Sequence, residues 1–162
     1  MVISRDSMTV WIKKMLLLAG VVLALRVAVP VYGSLGESDA QLASRYGIVQ
    51  AEDTNPYDGL VTKCYSHDGL WIRARFLKGC SQSEAFFKLD KSALSGSAIT
   101  ALLDANDLGG TWTSIYKSEN VERWILGASS AVALYYPKDH ILVITTKGMM
   151  RFIAEKGKVD EK

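Results

Sequence analysis

The stretch Leu60–Leu89 constrains this chain more than any other. It reads LVTKCYSHDGLWIRARFLKGCSQSEAFFKL: alternating apolar and polar runs broken by Asp68-Gly69 and Lys78-Gly79. A two-residue reversal between such runs needs positive φ at both turn positions, which Asp-Gly supplies well and Lys-Gly less well. The chain therefore doubles back twice and lays neighbouring strands side by side in sequence order. With Asp68-Gly69 as the first turn, Tyr65 faces Ile72, Cys64 faces Arg73 and Thr62 faces Arg75. A second turn of the same kind sets Arg73 opposite Glu84 and Trp71 opposite Phe86. An opposite-charge pair and an aromatic pair are favourable cross-strand neighbours. One face of this meander, with Tyr65, Ile72, Ala85 and Phe87, is expected to pack on a helix. The other presents Trp71, Arg73, Arg75, Glu84 and Phe86, a mixture of aromatic and arginine side chains enriched at interfaces.

The first 33 residues read differently. Lys13 and Lys14 precede MLLLAGVVLAL (Met15–Leu25), which is shorter than the roughly 18–20 residues that span a bilayer. Arg26 interrupts the run, and Val31 and Gly33 have the spacing of a small-residue cleavage site. Residues 1–33 are expected to be a secretory signal cut near Gly33-Ser34, or else an uncleaved anchor tethering the domain through residues 15–25. Either way the domain lies outside the cytoplasm, periplasmic or extracellular. The leader holds Arg5, Lys13, Lys14 and Arg26 of the 19 basic residues, and Asp6 of the 17 acidic ones. The rest of the chain, 15 basic against 16 acidic residues, has no basic excess or cluster, which argues against a nucleic-acid partner.

Residues 34–154 are enough for one domain with a sizeable core. Glu37–Tyr46 is expected to form a short helix, capped by a serine and stopped by Gly47, with Leu42 and Tyr46 on its apolar stripe. Residues 51–59 (AEDTNPYDG) read as loop. Ser95 opens a second helix from Gly96 to about Asn106, carrying Ile99, Leu102 and Leu103 on one side. Four strands follow: Thr111–Tyr116, Val121–Leu126, Ala131–Tyr136 and Ile141–Thr146. The last two are apolar at nearly every position, so they should lie centrally with both faces covered. Met149–Glu155 is expected as a strand or short helix, and 155–162 as a charged tail. The fold class is α+β: an antiparallel meander sheet of about six to seven strands, with two helices on one face.

The helix ending in Arg45-Tyr46-Gly47, the Cys64–His67 strand, Trp112, Trp124 and the Ala131–Tyr136 strand resemble small exported bacterial proteins of uncharacterised role. The helix-plus-meander order is similar to β-lactamase-inhibitor-like folds and to small outer-membrane assembly lipoproteins. The resemblance implies protein binding without chemistry. The chain departs from the lipoproteins in having no cysteine near the cleavage region.

Few residues offer chemistry. Cys64 and Cys80 are the only cysteines, and an even count in an exported chain points to a disulfide. The meander register opposes it, placing the two roughly 16 Å apart against a limit of about 7 Å between bridged Cα atoms. Cys64 and His67, three apart on a strand, point to opposite faces. With His140 the four residues match no zinc spacing. No G-x-S-x-G, H-E-x-x-H, P-loop or Rossmann glycine run occurs, so neither a catalytic motif nor a cofactor is expected. The leading expectation is an exported, non-enzymatic module that binds a protein or small ligand. The alternative is a thiol-dependent enzyme using Cys64 or Cys80 with His140.

Overall fold

The computed structural model describes Gly33 and residues 35–157. Of the expected leader 1–33 only Gly33 is among the described residues, and of the expected tail 155–162 only 155–157, which continue the last helix. The chain divides into two units, 1–31 and 32–162, and the described residues all belong to the second.

Among the described residues are eight strands and three α-helices. Helix α1 (Asp39–Tyr46) precedes β1 (Ala51–Thr54), β2 (Val61–His67), β3 (Leu70–Leu77) and β4 (Cys80–Lys88). Helix α2 (Gly96–Ala105) precedes β5 (Trp112–Lys117), β6 (Glu122–Leu126), β7 (Ala131–Tyr136) and β8 (Ile141–Thr146), and α3 (Lys147–Gly157) closes the chain. All eight strands form one antiparallel sheet in the order β1-β2-β3-β4-β8-β7-β6-β5. Two meanders, each introduced by a helix, are thus joined along β4 and β8. The sequence reading missed β1, an exposed polar strand at the sheet edge that looks like loop because none of its residues is buried. It left the segment of α3 open between strand and helix.

The helices form where their local signals lie. In α1, Ser38 N–H donates to Gln41 Oε1 at 2.9 Å, and Gly47 N–H closes the end on Ala43 O at 2.9 Å. In α2, Ser95 Oγ accepts from Ala98 N–H at 3.2 Å. Leu42 and Tyr46 of α1 and Ile99, Leu102 and Leu103 of α2 share one core with Tyr65, Ile72, Ala74, Phe86, Ala133, Leu142 and Ile144 of the sheet. Both helices therefore lie on one sheet face. Gly36–Ser38 adds to the first residues of β4: Gly36 N–H donates to Ser81 O at 2.7 Å, and Ser81 N–H to Glu37 O at 2.8 Å. It fills the position that β8 leaves when the chain turns into α3.

The first hairpin has the expected register, with Tyr65 opposite Ile72 and Cys64 opposite Arg73. Both turns take positive φ as anticipated, at Asp68 and Gly69 (47° and 77°) and at Lys78 and Gly79 (54° and 80°). The second hairpin keeps its register only as far as Phe76–Ser81. A bulge then leaves Gln82 unmatched, so that Arg75 meets Ser83, Ala74 meets Glu84, Arg73 meets Ala85 and Trp71 meets Phe87. One extra residue sends every later β4 side chain to the face opposite the one expected. Gln82 is held there from β8: Thr146 Oγ1 donates to Gln82 Oε1 at 2.7 Å, and Ser83 Oγ lies 2.8 Å from Thr145 Oγ1.

Candidate binding face

The bulge corrects the expected surface at two of its five residues. Glu84 and Phe86 are fully buried on the helix-covered face, with Glu84 opposite Ala74 and Phe86 opposite Ile72. The pairs Arg73–Glu84 and Trp71–Phe86 therefore do not form. Trp71, Arg73 and Arg75 do share the other face, where Phe87 takes the place intended for Phe86.

That open face can be followed row by row across the sheet. The middle row is Cys64, Arg73, Ala85, Val143, Leu134 and Arg123, each directly opposite the next. Beside it run Thr62, Arg75, Ser83, Thr145, Val132 and Ile125. On the other side Trp71 meets Phe87, and Ile141 meets Tyr136. The apolar residues here are only half-buried, while Arg73 and Arg123 are exposed. This overturns the expectation that β7 and β8 are covered on both faces. Their alternation is real: Ala131, Ala133, Tyr135, Leu142 and Ile144 are buried, and the residues between them are half-exposed.

The result is an apolar trough with an arginine at each end, roughly 19 Å apart across four strand spacings. A depression of about 270 Å³ opens between Arg73 and Arg75 over Ser83 and Ala85. Another of about 570 Å³ lies beside Arg123, walled by Ile115, Tyr116, Leu134 and Tyr136. The arginines are not equivalent. Arg75 is tied to Asp58, with a guanidinium nitrogen 2.5 Å from the carboxylate. Among the described residues, Arg73 and Arg123 have no ion pair, so their donors face solvent.

A polar cluster that the sequence reading did not anticipate lies under α1. Arg45 grips the Glu37 carboxylate through two donors, which raises the guanidinium pKa further. Lys63 contacts Asp39 at 2.6 Å and Glu52 at 3.3 Å, and the Asp39 hydrogen bond raises the ammonium pKa. Tyr65 Oη donates to Asp39 Oδ1 at 3.2 Å; burial, then the Asp39 charge, pushes the phenol pKa well above its usual value. Buried Glu84 accepts from Ser81 Oγ at 2.7 Å. The only sequence signal for this cluster was Lys63 at a helix-facing strand position, since Glu84 was expected on the other face and Glu52 in a loop.

Both cysteines are free thiols. Their strand positions remain two strand spacings and four residues apart, roughly 16 Å, so the possible Cys64–Cys80 bridge does not form. Cys80 borders a groove of about 520 Å³ between β4 and α3, with Lys78, Arg151 and Phe152. His140 lies in the β7–β8 turn, Nδ1 2.7 Å from Lys91 O. By strand spacing and register it is roughly 17 Å from Cys64 and more than about 25 Å from Cys80, so the structure does not bring histidine and thiol together. Among the described residues no group of three or more His, Cys, Asp or Glu could hold a metal ion. Nor is any helix among them long and apolar enough to cross a membrane.

The fold and site define an α+β protein with one helix-covered and one open sheet face. No protein-family model matches the chain, and no curated protein does. Among solved structures, a cysteine-rich secretory protein from Staphylococcus aureus is similar, with a TM-score of 0.42 at 12% identity. The match covers 72% of this chain and 46% of that one, so this chain spans less than half its length.

Proposed function

We propose that this is an exported, non-enzymatic module that captures a partner protein on the open face of its sheet. The observation that carries the reading is the middle row, where half-buried Ala85, Val143 and Leu134 run between two exposed arginines. Single exposed apolar side chains are ordinary, but a contiguous apolar patch with a polar rim marks an interaction surface. Trp71 and Phe87 supply aromatic anchors beside it. The partner that suits this face has an apolar segment with carboxylates near its ends, since arginine pairs with carboxylates in a two-pronged geometry. Arg75, already neutralised by Asp58, shapes the depression rather than adding charge. The reading agrees with the binding role that the family resemblance implies, and export rests on the lysine-flanked apolar leader.

The test is capture from an envelope extract by the exported protein, compared with a Trp71→Ala/Arg73→Ala variant. Both side chains lie on the uncovered face, so far-UV circular dichroism and Tm should stay close to wild type. Capture should fall at least tenfold, and the wild-type interaction should weaken as salt screens the arginines. A correctly folded double variant that captures the same partner equally well defeats the proposal.

A further inference from the structure

We infer that Gly33 is a residue of the folded domain, and that maturation leaves the Gly33–Ser34 bond intact despite the small-residue spacing there. Gly33 is buried. Its N–H donates at 2.9 Å to Oη of Tyr46, the last residue of α1 and itself only 2% exposed. Two residues on, Leu35 N–H donates to Asn106 Oδ1 at 3.1 Å. Asn106 is 2% exposed and closes α2: its backbone N–H reaches Leu103 O at 2.9 Å and its Nδ2 reaches Leu102 O at 3.0 Å. Gly33 and Leu35 are therefore bonded to the C-terminal ends of both helices that cover the sheet.

The position also demands glycine. Its φ is +111°, in a region that side chains rarely adopt. A Cβ there would lie 2.4 Å from Asn106 Nδ2, 2.7 Å from Asn106 Cγ and 2.8 Å from the Ala105 carbonyl carbon. These neighbours are backbone or a side chain locked by two hydrogen bonds, so they cannot yield cheaply. The last residue of a removed leader need only be small. Nothing about leader removal calls for positive φ, a buried hydrogen bond and contact with a helix cap. Cutting after Gly33 would delete that bond and place a charged amine next to buried Leu35, an unfavourable exchange.

The experiment is N-terminal sequencing and intact mass of the full-length gene product recovered from a host that exports it. An N-terminus at or upstream of Gly33 is expected; one at Ser34 or later overturns the inference. A Gly33→Ala variant gives a second readout, because alanine also suits a leader peptidase. If residue 33 departs with the leader, variant and wild type yield the same mature protein and the same Tm, which again overturns it. If residue 33 belongs to the domain, Tm falls by roughly 5 °C or more. Should that variant give no folded product, the wild-type N-terminus alone decides.

Discussion

Tyr65 carries more of this fold than its place in an alternating strand conveys. Its ring is fully buried against Tyr46, with centroids 5.6 Å apart, and its hydroxyl reaches Asp39 at the start of α1. Burial disfavours the phenolate, and losing the proton would also put a second negative charge beside that carboxylate, so the folded-state pKa is raised. A group with a raised folded pKa contributes stability that is complete below its unfolded value, near 10 for tyrosine, and is lost as pH rises through the folded value. Lys63 acts in the same sense, since its ammonium is held by the same aspartate. The protein should therefore lose Tm above about pH 10. Tyr65→Phe should cost about 1 kcal/mol at neutral pH through the lost hydrogen bond, while flattening the alkaline decline that remains. Thermal melts of both proteins from pH 8 to 11 check this; parallel curves would show that the Tyr65 proton is not linked to folding.

At the scale of elements, the bulge at Gln82 decides which side chains can be functional. The first hairpin was legible because Asp68-Gly69 sets both turn and register with nothing irregular beyond it. The second was legible for only two pairs, Leu77–Cys80 and Phe76–Ser81, because Gln82 carries no glycine or proline to announce an extra residue. The charge and aromatic pairings that argued for the uniform register were real residue complementarities realised elsewhere. Trp71 found Phe87 in place of Phe86, and Glu84 turned inward to Ser81. Deleting Gln82 should remove the bulge and leave the observed pairs Arg75–Ser83, Ala74–Glu84 and Ile72–Phe86 in place, with Glu84 and Phe86 still in the core. The cost is expected to be small, about 1 kcal/mol for the lost hydrogen bond to Thr146. Urea denaturation of the deletion variant measures it. A loss of several kcal/mol would mean that β4 needs the bulge itself to pair with both of its neighbours. Gln82→Ala, which keeps the residue and loses one hydrogen bond to Thr146, should cost only about 1 kcal/mol.

The whole molecule depends on a junction that local patterns do not describe. Each meander could be read from its own turns and alternation, but the pairing of β4 with β8 joins strands separated by α2 and three further strands. The apolar runs of β7 and β8 looked doubly covered because periodicity records how apolar a strand is, not whether a second layer exists to cover it. Sheet order also governs the cysteines. Since β3 lies between β2 and β4, the two thiols stay apart in any state that preserves the sheet. Two thiols should therefore react in the unfolded protein without reductant, and reductant should leave both Tm and intact mass unchanged. Their rates in the folded state then bear on chemistry: slow iodoacetamide labelling of both at neutral pH accords with a binding module, whereas one rapidly alkylated thiol would favour thiol chemistry. A mass that rises by two hydrogens on reduction would require Cys64 and Cys80 to meet. The strand order β2-β3-β4, and with it the row that places Arg73 beside Ala85 on the open face, would then have to be abandoned.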